Sequence, residues 1–141
     1  MHTYKTTVKW KEGLIGDLKT ESGSRMDFSS PPEFRGPGGL ITPEELFVAS
    51  ENTCYMLTFL AFVEKMRIEL VSYDCDAVGH LEQADKGHII SKIELRPKIV
   101  VKSEEDAKNT EKAIELSKKY CFIEKSIKTE VELVPEITVS G

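Results

Sequence analysis

Polar and apolar residues alternate from the start of the chain. Tyr4, Thr6, Val8 and Trp10 fall on one side, and Lys5, Thr7, Lys9 and Lys11 on the other. A period of two predicts a β-strand with the Tyr4–Trp10 side buried. Glu12-Gly13 punctuates the pattern, and Leu14, Gly16 and Leu18 predict a return strand. Glu21-Ser22-Gly23-Ser24 forms a second turn, with a short third strand from Met26 to Phe28. The first quarter therefore reads as a small antiparallel meander.

All periodicity stops between Ser29 and Ile41, where Pro31, Pro32, Gly36, Pro37, Gly38 and Gly39 crowd around Arg35. Neither flank is large enough to be a separate domain, so this is expected to be a fixed loop rather than a linker. Loops of that kind often carry function. It ends on a helix start: Thr42 as N-cap, Pro43 at the first helical position and Glu45 completing a Thr-x-x-Glu capping box. The helical pattern runs from Pro43 to about Met66. From Thr53 to Val63 it is apolar on nearly every side, which predicts a central helix buried all round. That apolar run is shorter than the roughly 20 residues a bilayer requires.

A second strand group follows. Val71, Tyr73, Cys75 and Ala77 alternate with Ser72, Asp74 and Asp76. After a loop at Gln83 to Gly87, a long run places Ile89, Ile93, Leu95, Ile99 and Val101 on one face. Pro97 has no backbone donor and predicts an edge or a bulge there. Ser103-Glu104-Glu105-Asp106 opens another helix with Ala107, Ala113, Ile114, Leu116, Tyr120 and Cys121 on its apolar side. Thr129, Val131 and Leu133 predict a last strand before Pro135. Strands, buried helix, strands, helix, strand is an α+β arrangement, expected as one domain over residues 1–141.

Composition narrows the class. The 141 residues are 40% hydrophobic and 30% charged, an ordinary globular mix. A net charge of −5 argues against a general grip on nucleic acid. No basic start precedes an apolar run at the N-terminus, so a cytoplasmic protein is expected, with no membrane partner. Three cysteines exclude a fully paired disulfide framework within one chain.

Cys54 and Cys121, 67 residues apart, are both placed on helices. They are either inert core residues or a reactive pair, in which one thiolate attacks an electrophile and the other resolves the product as a disulfide. An apolar surround raises a thiol's pKa, so a reactive Cys54 needs a cation nearby. Arginine, always protonated and with a rigid fork of donors, suits that role. Of Arg25, Arg35, Arg67 and Arg96, Arg35 is best placed, in the loop before the Cys54 helix. Glu45 is explained by the capping box. Glu44 is not, and so is free to orient an arginine. Ten residues of helix separate Glu44 from Cys54, about 15 Å, so the two share a site only through a bridging arginine, a break in the helix or a second chain. A site at a subunit interface is favoured. Cys75 reads as structural. His80 and His88, facing each other across a hairpin, lack a third ligand at usable spacing, so no zinc is expected. Gly36-Pro37-Gly38-Gly39 lacks a P-loop ending, and Glu44 and Glu45 repel phosphate.

Pro31-Pro32, Gly38-Gly39 and Thr42-Pro43-Glu44-Glu45-Leu46-Phe47, with Cys54 eleven residues after Pro43 and Cys121 near the end of a later helix, resemble the family of osmotically inducible protein C and organic hydroperoxide resistance protein. The likeness extends over nearly the whole chain. It implies an OsmC-like fold in an intertwined homodimer with two interfacial sites. It further implies a thiol-dependent peroxidase that turns a small organic hydroperoxide into an alcohol. By this resemblance Cys54 is the peroxidatic thiol, Cys121 the resolving thiol, Glu44 the arginine's partner and Arg35 the thiolate stabiliser, with Arg25 as the alternative. A Cys54 sulfenic acid then condenses with Cys121 to a disulfide, which an external dithiol reduces; no cofactor or metal is implied. Tyr55, Phe59 and Phe122 are expected as the apolar neighbours that favour an organic peroxide. Three positions depart from the family pattern: Thr42 where Asn is common, Asn52-Thr53 in place of two alanines, and Phe122 where a Pro follows the second cysteine. The competing expectation is a non-enzymatic module that holds a small lipophilic ligand in the dimer cleft, with inert thiols.

Overall fold

The computed structural model describes residues 1–140, which form two compact units meeting in sequence at Leu46 and Phe47, inside one helix.

The first unit is the expected meander. β1 (Thr6–Glu12), β2 (Ile15–Thr20) and β3 (Arg25–Ser29) pair antiparallel in sequence order. Arg25 Nε donates to Asp17 Oδ1 at 2.8 Å from β3 to β2, and Lys11 Nζ donates to Asp27 Oδ2 at 2.8 Å. After a single 3-10 turn at Pro32–Phe34 the chain returns to the sheet, where Ser29 N–H donates to the Ile41 carbonyl at 3.0 Å. Gly36 is required for that return: a Cβ there would lie 1.6 Å from the Ser30 carbonyl oxygen. The expected burial of the Tyr4–Trp10 face is not found. Every residue of β1 is exposed, with Trp10 at 79% and Val8 at 62%. The reason is architectural, since this unit is one sheet with no second layer of its own.

The capping box forms as the sequence predicts. Glu45 N–H donates to Thr42 Oγ1 at 3.1 Å, and Thr42 N–H donates to Glu45 Oε1 at 3.0 Å. It starts α1 (Pro43–Lys65), a 23-residue helix.

The second unit holds the rest of α1, then β4 (Leu70–Ala84), β5 (Gly87–Val101), α2 (Glu104–Tyr120), α3 (Phe122–Ser126), β6 (Glu130–Leu133) and β7 (Glu136–Val139). β5 is central, antiparallel to β4 and parallel to both β6 and β7, which follow one another along its other edge. Pro97 is therefore interior rather than at an edge. The Leu95 carbonyl accepts from Val134 N–H, so Pro97, two residues on, turns its nitrogen to the same side. There the partner strand is interrupted at Val134-Pro135, so no ladder bond is lost. His80 pairs in register with Lys92 and His88 with Gln83, so the two imidazoles do not oppose each other.

α1 is buried along one stripe, not all round. Glu51, Tyr55, Phe59 and Val63, four residues apart, face inward. Tyr55, Phe59 and Val63 meet Ile93, Leu95, Ile99 and Val101 of β5 and Ala113 and Ile114 of α2. Tyr55 Oη donates to the Ile114 carbonyl at 3.1 Å, and the Phe59 and Tyr73 rings lie 5.4 Å apart. At 23 residues α1 is long and apolar enough to cross a membrane; here its inward stripe is part of a packed core. A single sheet and helix layer covers one side of a helix, which leaves Leu57 62% exposed and Ala61 accessible.

Candidate active site

The uncovered side of α1 forms one wall of an apolar groove of about 420 Å3. Cys54, Leu57, Thr58, Ala61 and Phe62 contribute from α1, Tyr120 from the end of α2 and Phe122 from α3. Helical spacing explains this wall, because positions 54, 57, 58, 61 and 62 share one face. Cys54 is half-buried in it. Tyr55 and Phe59, expected among its neighbours, are instead wholly buried on the inward stripe. Of the three expected aromatics only Phe122 lines the groove, and it is 79% exposed.

Cys121 is not on a helix. It is the junction that ends α2 and starts α3: its N–H donates to the Ser117 carbonyl at 3.0 Å, and its carbonyl accepts from Lys125 N–H at 3.1 Å. Phe122 opens α3, where the family has a proline; a proline there would suit the same first helical position. The junction buries the Cys121 side chain completely and sets its thiol beside Cys54, close enough for Cys54 to raise its pKa. Two cysteines far apart in sequence are thus neighbours, one facing the groove and one behind it.

Behind them lies a residue that the sequence alone did not single out. Glu51 has no solvent exposure, and its Oε2 accepts a hydrogen bond from Cys121 Sγ at 3.3 Å. Its Oε1 is buried with no partner among the described residues. Burial pushes the Glu51 carboxyl up to about 7, against the Cys121 hydrogen bond, which favours its ionised form. Burial likewise pushes the Cys121 thiol up to about 12, and the Cys54 and Glu51 contacts add to that rise. The available signal was the four-residue spacing of Glu51 with Tyr55, Phe59 and Val63, which puts a carboxyl on the inward stripe.

Arg35 lies in the loop of the first unit. Its backbone is left-handed, with φ of 69°, and its N–H donates to the Pro32 carbonyl at 3.1 Å. Its guanidinium makes no ion pair among the described residues, so no Arg35–Glu44 pair is formed within this unit. Glu44 Oε1 is buried and has no hydrogen-bond donor among the described residues. Arg25 is already committed to Asp17, which holds that carboxyl below the usual carboxylate range. Cys75 is half-buried on β4 beside Tyr73 and Ala77, and burial raises its thiol.

Groove, half-buried thiol and hidden neighbouring thiol together define a protein with a paired-cysteine site on a two-unit α+β scaffold. Residues 36–136 match the model of the family described as OsmC-like protein, and the chain belongs to that OsmC and organic hydroperoxide resistance family. It is 29% identical over 143 residues to the uncharacterized protein YmaD of Bacillus subtilis (strain 168), covering 98% of this chain and 95% of that one. Peroxiredoxin OsmC of Escherichia coli (strain K12) is 28% identical over 120 residues, covering 84% of this chain and 82% of the relative. Among solved structures, an OsmC-like protein of unknown function from Vibrio cholerae O1 biovar eltor superposes with a TM-score of 0.87 at 29% identity, over 96% of this chain and 99% of the other. The fold is the OsmC fold, and the family includes peroxiredoxins.

Proposed function

We propose that this protein is a cysteine-based peroxidase that reduces organic hydroperoxides. The observation that carries the reading is the adjacency of the groove-facing Cys54 to the buried Cys121. In this scheme the Cys54 thiolate attacks the terminal oxygen of the hydroperoxide, the O–O bond breaks, and the protonated alkoxide leaves as an alcohol. Cys54 becomes a sulfenic acid, Cys121 condenses with it to a disulfide and water, and an external dithiol restores both thiols by exchange. Arg35 supplies the cation for the thiolate, and Glu44, with its unpartnered oxygen, supplies the guanidinium's anchor. Leu57, Ala61, Phe62, Tyr120 and Phe122 favour an apolar substituent on the peroxide.

A second copy of the chain completes the site. The uncovered β1 residues Val8 and Trp10, with Tyr4 just before the strand, are the kind of exposed apolar surface that marks a protein interface.

Dithiol-dependent consumption of an alkyl hydroperoxide tests the reading. Wild-type protein should turn over; Cys54→Ser should be inactive; Arg35→Ala should lose at least ~100-fold, the scale on which a positioned charge contributes. Full activity in Cys54→Ser contradicts it. Slow alkylation of all three thiols at neutral pH, with no turnover in the wild type, would favour a binding module with inert sulfurs.

A further inference from the structure

The resolving half of this scheme needs something the two sulfurs do not supply. A thiol held at about 12 is ionised to only roughly one part in 10⁵ at pH 7, and the thiol itself is a poor nucleophile. Arginine does not meet the need, because a guanidinium takes no proton at neutral pH. A base must therefore reach Cys121 Sγ from inside the protein.

We propose that Glu51 is that base: its Oε2 takes the Cys121 proton as the sulfur attacks Cys54. This rests on the peroxidase reading only for the identity of the electrophile. In the peroxidase cycle the new S–S bond forms as the S–O bond of the Cys54 sulfenic acid breaks. The departing hydroxide receives the proton from Glu51 and leaves as water, so the carboxylate is regenerated and no oxidant beyond the hydroperoxide is consumed.

The geometry points to proton transfer rather than support. The Cys121 thiol already donates to Oε2 at 3.3 Å, and Cys54 lies beside the same sulfur. Among the described residues the carboxyl forms no ion pair, which would hold it ionised and make it a weak base. Lys118, the positive charge that acts on it, is engaged by Glu124 Oε1 at 3.3 Å and the Val131 carbonyl at 2.8 Å. Glu124 opposes ionisation of Glu51 while Lys118 favours it, and both act less on the carboxyl than burial does. The Tyr55 hydroxyl, one turn along α1, is turned to the Ile114 carbonyl. Glu51 is thus left with burial as its main influence, which sets it near neutrality, where a general base is most effective. A purely structural carboxyl would gain from a second donor, yet Oε1 has none among the described residues.

The test uses an aromatic disulfide in place of hydroperoxide, on full-length protein carrying Cys75→Ser. Attack by Cys54 releases one coloured thiolate in a phase that depends on reagent concentration. Attack by Cys121 on the resulting mixed disulfide releases the second, in a concentration-independent phase. The expected result is a second phase that rises with pH and levels off above about 7. In Glu51→Gln it should be about 100-fold slower at pH 7 and keep climbing beyond pH 9, with partial recovery in Glu51→Asp. A Gln variant with the wild-type rate and profile overturns the proposal, as does one that slows equally at every pH. A wild-type second phase that climbs through pH 9 without levelling also overturns it, so the proposal can fail even where a variant does not fold. Because no peroxide is involved, an intact pH profile in a protein that consumes no hydroperoxide would sink the peroxidase reading and leave this one standing.

Discussion

Glu51 carries a second consequence at the scale of a single residue. Its carboxyl sits at about 7 in the folded chain against 4.5 when unperturbed. Between those values the folded state binds more protons than the unfolded one, so stability falls as pH rises. At 1.36 kcal/mol per unit the loss is about 3 kcal/mol, complete above about pH 7. Cys121 stays protonated throughout that range and adds nothing to the slope. Urea unfolding at pH 5 and pH 8 should therefore show wild type losing about 2.5 kcal/mol more than Glu51→Gln, since a small part of the loss is already incurred by pH 5. Equal losses would mean that the carboxyl is not perturbed as described. A fold that tolerates this cost for a buried acid is keeping it for another reason, and proton transfer to and from Cys121 is such a reason.

At the scale of elements, what the sequence revealed depended on whether a signal was local. The capping box of Thr42 and Glu45 is written in four residues, and the helix begins where they place it. The period of two correctly located β1, β4 and β5. Burial was less legible because it depends on what lies opposite. The apolar residues of α1 suggested an all-round core, while the sheet and α2 cover one stripe, and the remaining side chains became the walls of the groove. Pro97 pointed to an edge or a bulge because its missing donor was visible and the interruption at Val134-Pro135 that accommodates it was not. α3, five residues long, is too short to produce a helical period, and β7 offers only Ile137 and Val139 as an alternating pair. Cys54 and Cys121 could be singled out by residue type and by family resemblance; that α2 ends on Cys121 and presents its sulfur to Cys54 is a matter of tertiary placement.

For the molecule as a whole, alternation along β1 identified the apolar face without revealing what covers it. Within one chain it is bare. The homodimer proposed above accounts for the exposed Tyr4, Val8 and Trp10, and for a buried Glu44 oxygen that no donor in the first unit reaches. Sedimentation equilibrium should give twice the chain mass of 15.9 kDa. Replacing Val8 and Trp10 together by lysine should shift the protein to monomer and reduce peroxide turnover with it. A wild type that remains at the mass of one chain at micromolar concentration would remove the shared site, though not the adjacency of Cys54 and Cys121.

Mass spectrometry of non-reduced peptides, after a brief pulse of one equivalent of alkyl hydroperoxide, tests the whole account most directly. Cys54 and Cys121 of the same chain should be joined, with Cys75 still a free thiol. Cys54 advancing to sulfinic acid beside an unmodified Cys121, or a disulfide that includes Cys75, would contradict it.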